Sequence, residues 1–281
     1  MAYVRESVQQ SQTSSLPIDL ETAYNILQQP NRLSFDIASI DKCLNLTDRG
    51  GSSSLCITSS RGVKDGSRGP RYINNIPLTR LSVRALMSRR QGGFESPPVI
   101  FINACYCSDI YQCVNFARQY GFDIEKVMDS IIVSRPFNAH QLAGLLIDEL
   151  DPAVLRQRFG AKLVVISDLL KMFSQQQDLQ VDPDKALWLL KEILRSLRRL
   201  SSHVSLAVSM RECPARYSRL LFPLFDNQIH IATRPTNEPG RFQVKLRSSN
   251  LLLHNEDDGK KQSWSSSFLI TERDLKIIPA R

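Results

Sequence analysis

Residues 119–138 read Gln-Tyr-Gly-Phe-Asp-Ile-Glu-Lys-Val-Met-Asp-Ser-Ile-Ile-Val-Ser-Arg-Pro-Phe-Asn. Gly121 stands where a helix running from about Asp109 to Tyr120 needs a residue that tolerates left-handed backbone in order to stop. A short acidic stretch follows, and then Ile131 to Ser134, an apolar run of strand length. Asn138 is placed to cap a further helix that continues to about Leu150. Helix, strand and helix thus follow one another within about forty residues, which is the rhythm of an α/β domain.

The same rhythm extends in both directions. Leu55–Thr58, Val99–Asn103, Lys162–Ser167 and Val204–Met210 are further apolar runs of strand length. Thr79–Arg89 reads as helix, and so does Pro183–Ser201, with Asp182 as its cap and Pro183 in its first turn. Leu33–Leu46 alternates, and Leu20–Gln29 reads as a short helix ended by Pro30. Strands alternating with helices imply right-handed crossovers and a parallel sheet. Beyond residue 227 the pattern changes to strands joined by turns, Gln228–Thr233, Phe242–Arg247 and Phe268–Thr271, which adds antiparallel strands at the end. The expected fold is therefore α/β, a mostly parallel central sheet flanked by helices. Residues 1–30 form a disordered leader and short linker or assembly segment, and residues 31–281 form the core. Residues 59–77, rich in Gly, Ser, Arg and Asn, form a long loop, which in a compact domain is either functional or disordered.

Composition narrows the function. The chain has 281 residues, 42% hydrophobic and 23% charged, with a formal net charge of +8. A basic balance favours anionic partners such as nucleic acid. No run of about 18 apolar residues marks a membrane span, and Met1–Ser15 lacks the apolar core of a signal peptide, so an intracellular protein is expected. The six cysteines show no paired C-x-x-C spacing for zinc. Cys105 and Cys107 are either small buried hydrophobes or a metal or redox pair.

Several stretches taken in order resemble the archaeal and eukaryotic RecA-like recombinases, the RadA family. They are residues 119–138, then Lys162-Leu-Val-Val-Ile-Ser-Asp-Leu-Leu-Lys-Met-Phe173, and Ser267-Phe-Leu-Ile-Thr-Glu-Arg-Asp274. The resemblance spans roughly residues 18–275 and implies a RecA-like core. It also implies positions for an ATP site, and these have changed. No GxxxxGK[ST] loop follows the first strand. If the helix at Thr79–Met87 matches the family's, then Pro77, Leu78 and Thr79 stand for Gly, Lys and the magnesium-holding hydroxyl. A rival alignment uses Gly62 and Lys64, but puts Asp65 where a hydroxyl belongs. Cys105 stands for the catalytic glutamate, Ser167 for the Walker B aspartate with Asp168 one place late, and Met210 for the sensor glutamine. The expectation is a chain that does not hydrolyse ATP, with no cofactor and no metal ion.

For partners, the family's first DNA loop corresponds to Ser174–Val181, which carries no Lys or Arg. The second corresponds to Arg211–Arg219, where Arg211, Arg216 and Arg219 with Tyr217 combine phosphate contact and base stacking or form an exposed basic loop. Arg61, Lys64, Arg68 and Arg71 in the long loop either wrap a phosphate backbone or stay disordered. Leu20 and Ala23 occupy the place of the family's F-x-x-A assembly segment, read either as an anchor for a partner or as an ordinary amphipathic helix start. Lys191, Arg195, Arg198 and Arg199 form a basic stripe on the 183–201 helix, read as a solvated face or as a contact for phosphates or an acidic partner. The reading expected from these features is a non-catalytic recombinase paralogue that assists recombination or repair. Its partners are single-stranded DNA, a RadA-type recombinase, or its own copies. The alternatives are a divergent ATPase and a module that binds protein only.

Overall fold

The computed structural model describes residues 32–42, 44, 46–47, 54–59, 73, 75–95, 98–104, 110–150, 159–174, 183–211, 213, 215–233, 241–248, 264–271 and 274. The chain divides into two units, Met1–Pro30 and Asn31–Arg281. The first lies outside the described residues, and with it the Leu20–Gln29 helix and the Leu20/Ala23 segment. Everything below concerns the second.

One mixed sheet of eight strands organises this unit, in the order β3-β2-β4-β5-β1-β6-β7-β8. The strands are β1 (Ser54–Ser59), β2 (Val99–Asn103), β3 (Ile131–Ser134), β4 (Leu163–Ser167), β5 (Ser205–Met210), β6 (Asn227–Thr233), β7 (Arg241–Ser248) and β8 (Trp264–Thr271). The first six run parallel, and β7 and β8 are antiparallel additions. β1, β2, β4 and β5 are buried along nearly their whole length because helices cover both of their faces. This is the expected fold class, a mostly parallel sheet with an antiparallel C-terminal end.

The helices are α1 (Ala38–Asp41), α2 (Asn75–Ala85), α3 (Ile110–Gln119), α4 (Ile124–Asp129), α5 (Ala139–Gly144), α6 (Lys171–Ser174), α7 (Pro183–Ser201) and α8 (Ala215–Leu221). The decisive stretch folds as it reads. Gly121 sits at φ +71° after α3, Asp123 caps α4 by accepting from Glu125 N–H, and Asn138 caps α5 by accepting from Gln141 N–H at 2.8 Å. α5 widens into a π-turn over Leu145–Glu149. Two apolar clusters fill the faces. One joins α2, α3 and the segment from Leu33 to Leu46 to the sheet, and the other lies under α5, α7 and α8.

Two expectations need correction. The first crossover helix begins at Asn75 rather than Thr79. Pro77 in its first turn is tolerated, since the first backbone N–H groups of a helix have no partner within it. Residues 215–219, read as part of the Arg211–Arg219 loop, fall within the helix Ala215–Leu221, because Tyr217 and Leu221 lie one turn apart and both bury in the second cluster.

α2 is buried on every side. Its two arginines are fully enclosed yet well bonded. Arg80 donates to the Tyr120 hydroxyl (3.1 Å), Asp274 O (2.8 Å) and Asp36 O (3.2 Å). Arg84 donates to Ser34 O (3.0 Å) and Gln91 O and lies 5.3 Å from the centre of the Tyr120 ring. Buried charge persists only with such bonding.

Candidate functional site

The carboxyl ends of β1, β2, β4 and β5 meet at the start of α2, the edge where open α/β sheets take their ligands. Asp168, the residue after β4, holds the centre of this edge. It is only 2% exposed and sits at φ +57°, a left-handed conformation that Asp tolerates better than most side chains. The twist lets its backbone N–H reach Ser209 Oγ at 2.9 Å, while Ser209 donates to Asn75 Oδ1 at 2.7 Å. The Asp168 carboxylate accepts the backbone N–H of Arg211 at 2.9 Å and forms an ion pair with the Arg211 Nε. One bonded chain thus joins the first residue of α2, the end of β5, the end of β4 and the segment that leaves β5.

The residues singled out from the sequence fall around this chain. Leu78 is fully buried in the core and presents no charge to the edge. Thr79 is buried too, and its hydroxyl donates to Asn75 O at 3.1 Å within the helix. Ser167 pairs across the sheet with Asn103, and its hydroxyl donates to Asn103 Oδ1 at 3.2 Å. Met210 is buried in the second apolar cluster. Cys105, Asp65, Arg61, Lys64, Arg68 and Arg71 lie outside the described residues.

Two side chains of the segment after β5 are already engaged within the fold. Arg211, read as a DNA contact, has its side chain engaged by Asp168. Tyr217, read as a stacking ring, is only 4% exposed and packs in the apolar cluster with Leu221 and Phe225, so its face is unavailable to a base. Arg219 points into solvent from α8, as read. Arg216 lies in the same helix, and its side chain is outside the described part.

A second cationic surface was not read from the sequence. On the face of β6 and β7 that points away from the first apolar cluster, His230 lies opposite Lys245 and Gln228 opposite Arg247. Together with Thr58, Phe222 and Ser267 these side chains line a cavity of about 610 Å³. Lys245 and Arg247 are exposed, two residues apart on one strand face. Thr58 Oγ1 lies 2.9 Å from His230 Nδ1. Burial, helped by the nearby Lys245 charge, holds His230 below its usual pKa. The strands were legible, but only their antiparallel register sets His230 and Gln228 opposite these two cations.

At the opposite edge, β3 has a partner on one side only among the described residues, β2. Ile132, Val133 and the following Phe137 are exposed there. An unpaired edge flanked by apolar side chains is a template for an added strand. Among the described residues no helix is long and apolar enough to cross a membrane.

Comparison with known proteins agrees with this topology. A search of curated proteins finds no match. The family model for Rad51 matches residues 38–213, from α1 through the segment that leaves β5, which is more than half of the chain. The strand order, the site at the carboxyl edge and this match together place the protein: the chain belongs to the Rad51 family.

Proposed function

We propose that this chain is a non-catalytic member of the family, an accessory factor in homologous recombination or DNA repair. It binds single-stranded DNA, a recombinase of the family, or both, and does not hydrolyse ATP. The observation that carries this reading is the pairing of Asp168 with Arg211. Asp168 is the described acid nearest the end of β4, where a magnesium-holding aspartate is needed. An arginine from the same chain already neutralises it, so a divalent cation would have to displace a partly buried guanidinium. Leu78 offers no charge to a γ-phosphate, and the Thr79 hydroxyl is spent inside its helix. The described residues therefore do not fit a nucleotide with magnesium, and we derive no step through one.

Support for the DNA half comes from the net charge of +8 and from the solvent-facing Arg219, Lys245 and Arg247. Support for the protein half comes from the open β3 edge with Ile132, Val133 and Phe137. Two titrations test the reading. Calorimetry with ATP and magnesium is expected to give no heat of binding, and fluorescence anisotropy on a labelled oligothymidylate is expected to show binding that falls steeply with salt. Micromolar ATP binding, lost in Asp168→Asn, would overturn the non-catalytic half. A chain that captures neither oligothymidylate nor a family recombinase would overturn the accessory role.

A further inference from the structure

The outer face of α7 is unexplained by the fold. Leu189, Leu190, Ile193, Leu194, Leu197 and Leu200 point inward and are buried. The opposite face carries Lys185, Trp188, Lys191, Arg195, Arg198 and Arg199, all exposed. At 100° per residue these six lie within one side of the helix, and Lys191, Arg195 and Arg198 follow one another at rises of about 6 and about 4.5 Å along it. Helix stability does not require this arrangement. Arg198 and Arg199 complement the helix dipole in the last turn, but Lys185, Lys191 and Arg195 are too far from the C-terminus to do so. The two acids of the helix are Asp184 at its start and Glu192, which is ion-paired with Arg195. Trp188 is the second, independent observation. Its side chain is 61% exposed in the middle of the cations, although Trp is among the residues that gain most from burial.

We propose that this face of α7 is a contact surface for single-stranded nucleic acid, with the cations taking successive phosphates and Trp188 stacking on an unpaired base. A cationic track with an aromatic platform fits a single strand, whose bases are free to stack. An acidic protein would match the charge and could bury the indole, but a row of cations along one side of the helix fits best a strand that carries one charge at every residue. The inference deepens the DNA-binding reading above and rests on it for the class of ligand. The surface itself is separate from Arg219 and from the Lys245/Arg247 cavity. α7 and α8 cover the same apolar cluster.

The test is anisotropy on labelled oligothymidylate over a salt series, using the full chain. Lys191→Gln/Arg195→Gln/Arg198→Gln is expected to weaken binding at least tenfold at low salt. It should also flatten the log–log salt slope by roughly 2, since each phosphate left without its cation removes about 0.7 from the slope. Trp188→Ala is expected to weaken binding about tenfold. Glu192→Gln, which frees Arg195, is expected to tighten it. The three cations and Trp188 face water, so circular dichroism and the melting temperature of those variants should hardly move. If the wild type binds and the α7 variants bind equally well, the inference is wrong and the DNA-binding reading stands on other residues. If the wild type does not bind, the DNA-binding reading itself fails. If the triple variant weakens binding, Trp188→Ala does not, and polyglutamate competes as well as unlabelled oligothymidylate, the face serves an acidic protein and the inference is overturned.

Discussion

Replacing Arg211 by Ala asks whether the Asp168 pair holds the carboxyl edge together. Asp168 is enclosed, with a side chain only 3% exposed, whereas the Arg211 side chain is 36% exposed. Removing one partner of a fully buried pair costs about 3–5 kcal/mol, because the other charge is left uncompensated. Water reaches the guanidinium here and screens the pair, so the cost should fall to about 2 kcal/mol. The Arg211 backbone N–H still reaches the carboxylate in the variant and limits the loss further. For a domain of this size, about 2 kcal/mol lowers the melting temperature by roughly 4–8 °C. Asp168→Asn keeps a side chain that tolerates φ +57° and should cost less, since the freed guanidinium can turn into solvent. The double variant should then be more stable than the sum of the singles implies, by about 1 kcal/mol. Urea and thermal melts of the four proteins measure this coupling. Strict additivity, or an Arg211→Ala protein that melts with the wild type, refutes the claim that the ion pair organises the site.

Three further outcomes are expected. His230 has its pKa lowered in the folded state, so the unfolded chain binds the extra proton more readily. Its contribution to stability is therefore full above its ordinary value of 6.5 and lost as the pH falls from there through the lower folded value. The melting temperature should drop more between about pH 7.5 and about pH 5.5 in the wild type than in His230→Gln. Arg80→Lys should cost about 2–3 kcal/mol in urea unfolding, because a single ammonium cannot reach the Tyr120 hydroxyl and the Asp36 and Asp274 carbonyls together; a change under about 0.5 kcal/mol would contradict it. Burial pushes the Cys213 thiol up to about 11, so native protein at neutral pH should alkylate there more than tenfold more slowly than a peptide cysteine, read by mass mapping.

Most of the fold was legible because β1, β2, β4 and β5 are buried along nearly their whole length and so centre on apolar runs, and β3 is apolar although partly exposed. Val99–Asn103 and Ile131–Ser134 have the ends read from sequence. The caps Asp123 and Asn138 act through local hydrogen bonds that short-range spacing can show. Pro77 hid the true start of α2, since a proline is read as a break unless the first turn is already known. Pro214 and the arginines around Tyr217 hid α8, whose stability comes from burying Tyr217 and Leu221 rather than from its composition. The site was harder to read. Asp168 and Arg211 are 43 residues apart, and no local pattern indicates that β4 and β5 are neighbours that bring them together. The Lys245–His230 pairing depends likewise on a register that alternation alone does not fix.

The two carbonyls gripped by Arg80, those of Asp36 and Asp274, belong to opposite ends of the folded unit. A single guanidinium reaches both, so backbone near the two ends of the described core meets at one side chain. The core is in effect a closed ring fastened by one buried side chain. Such a ring permits circular permutation, with the old ends joined by a short linker and new ones opened at an exposed turn. A version cut back to residue 38, where the family match begins, loses Ser34 and Asp36 and takes from each α2 arginine a carbonyl that holds it.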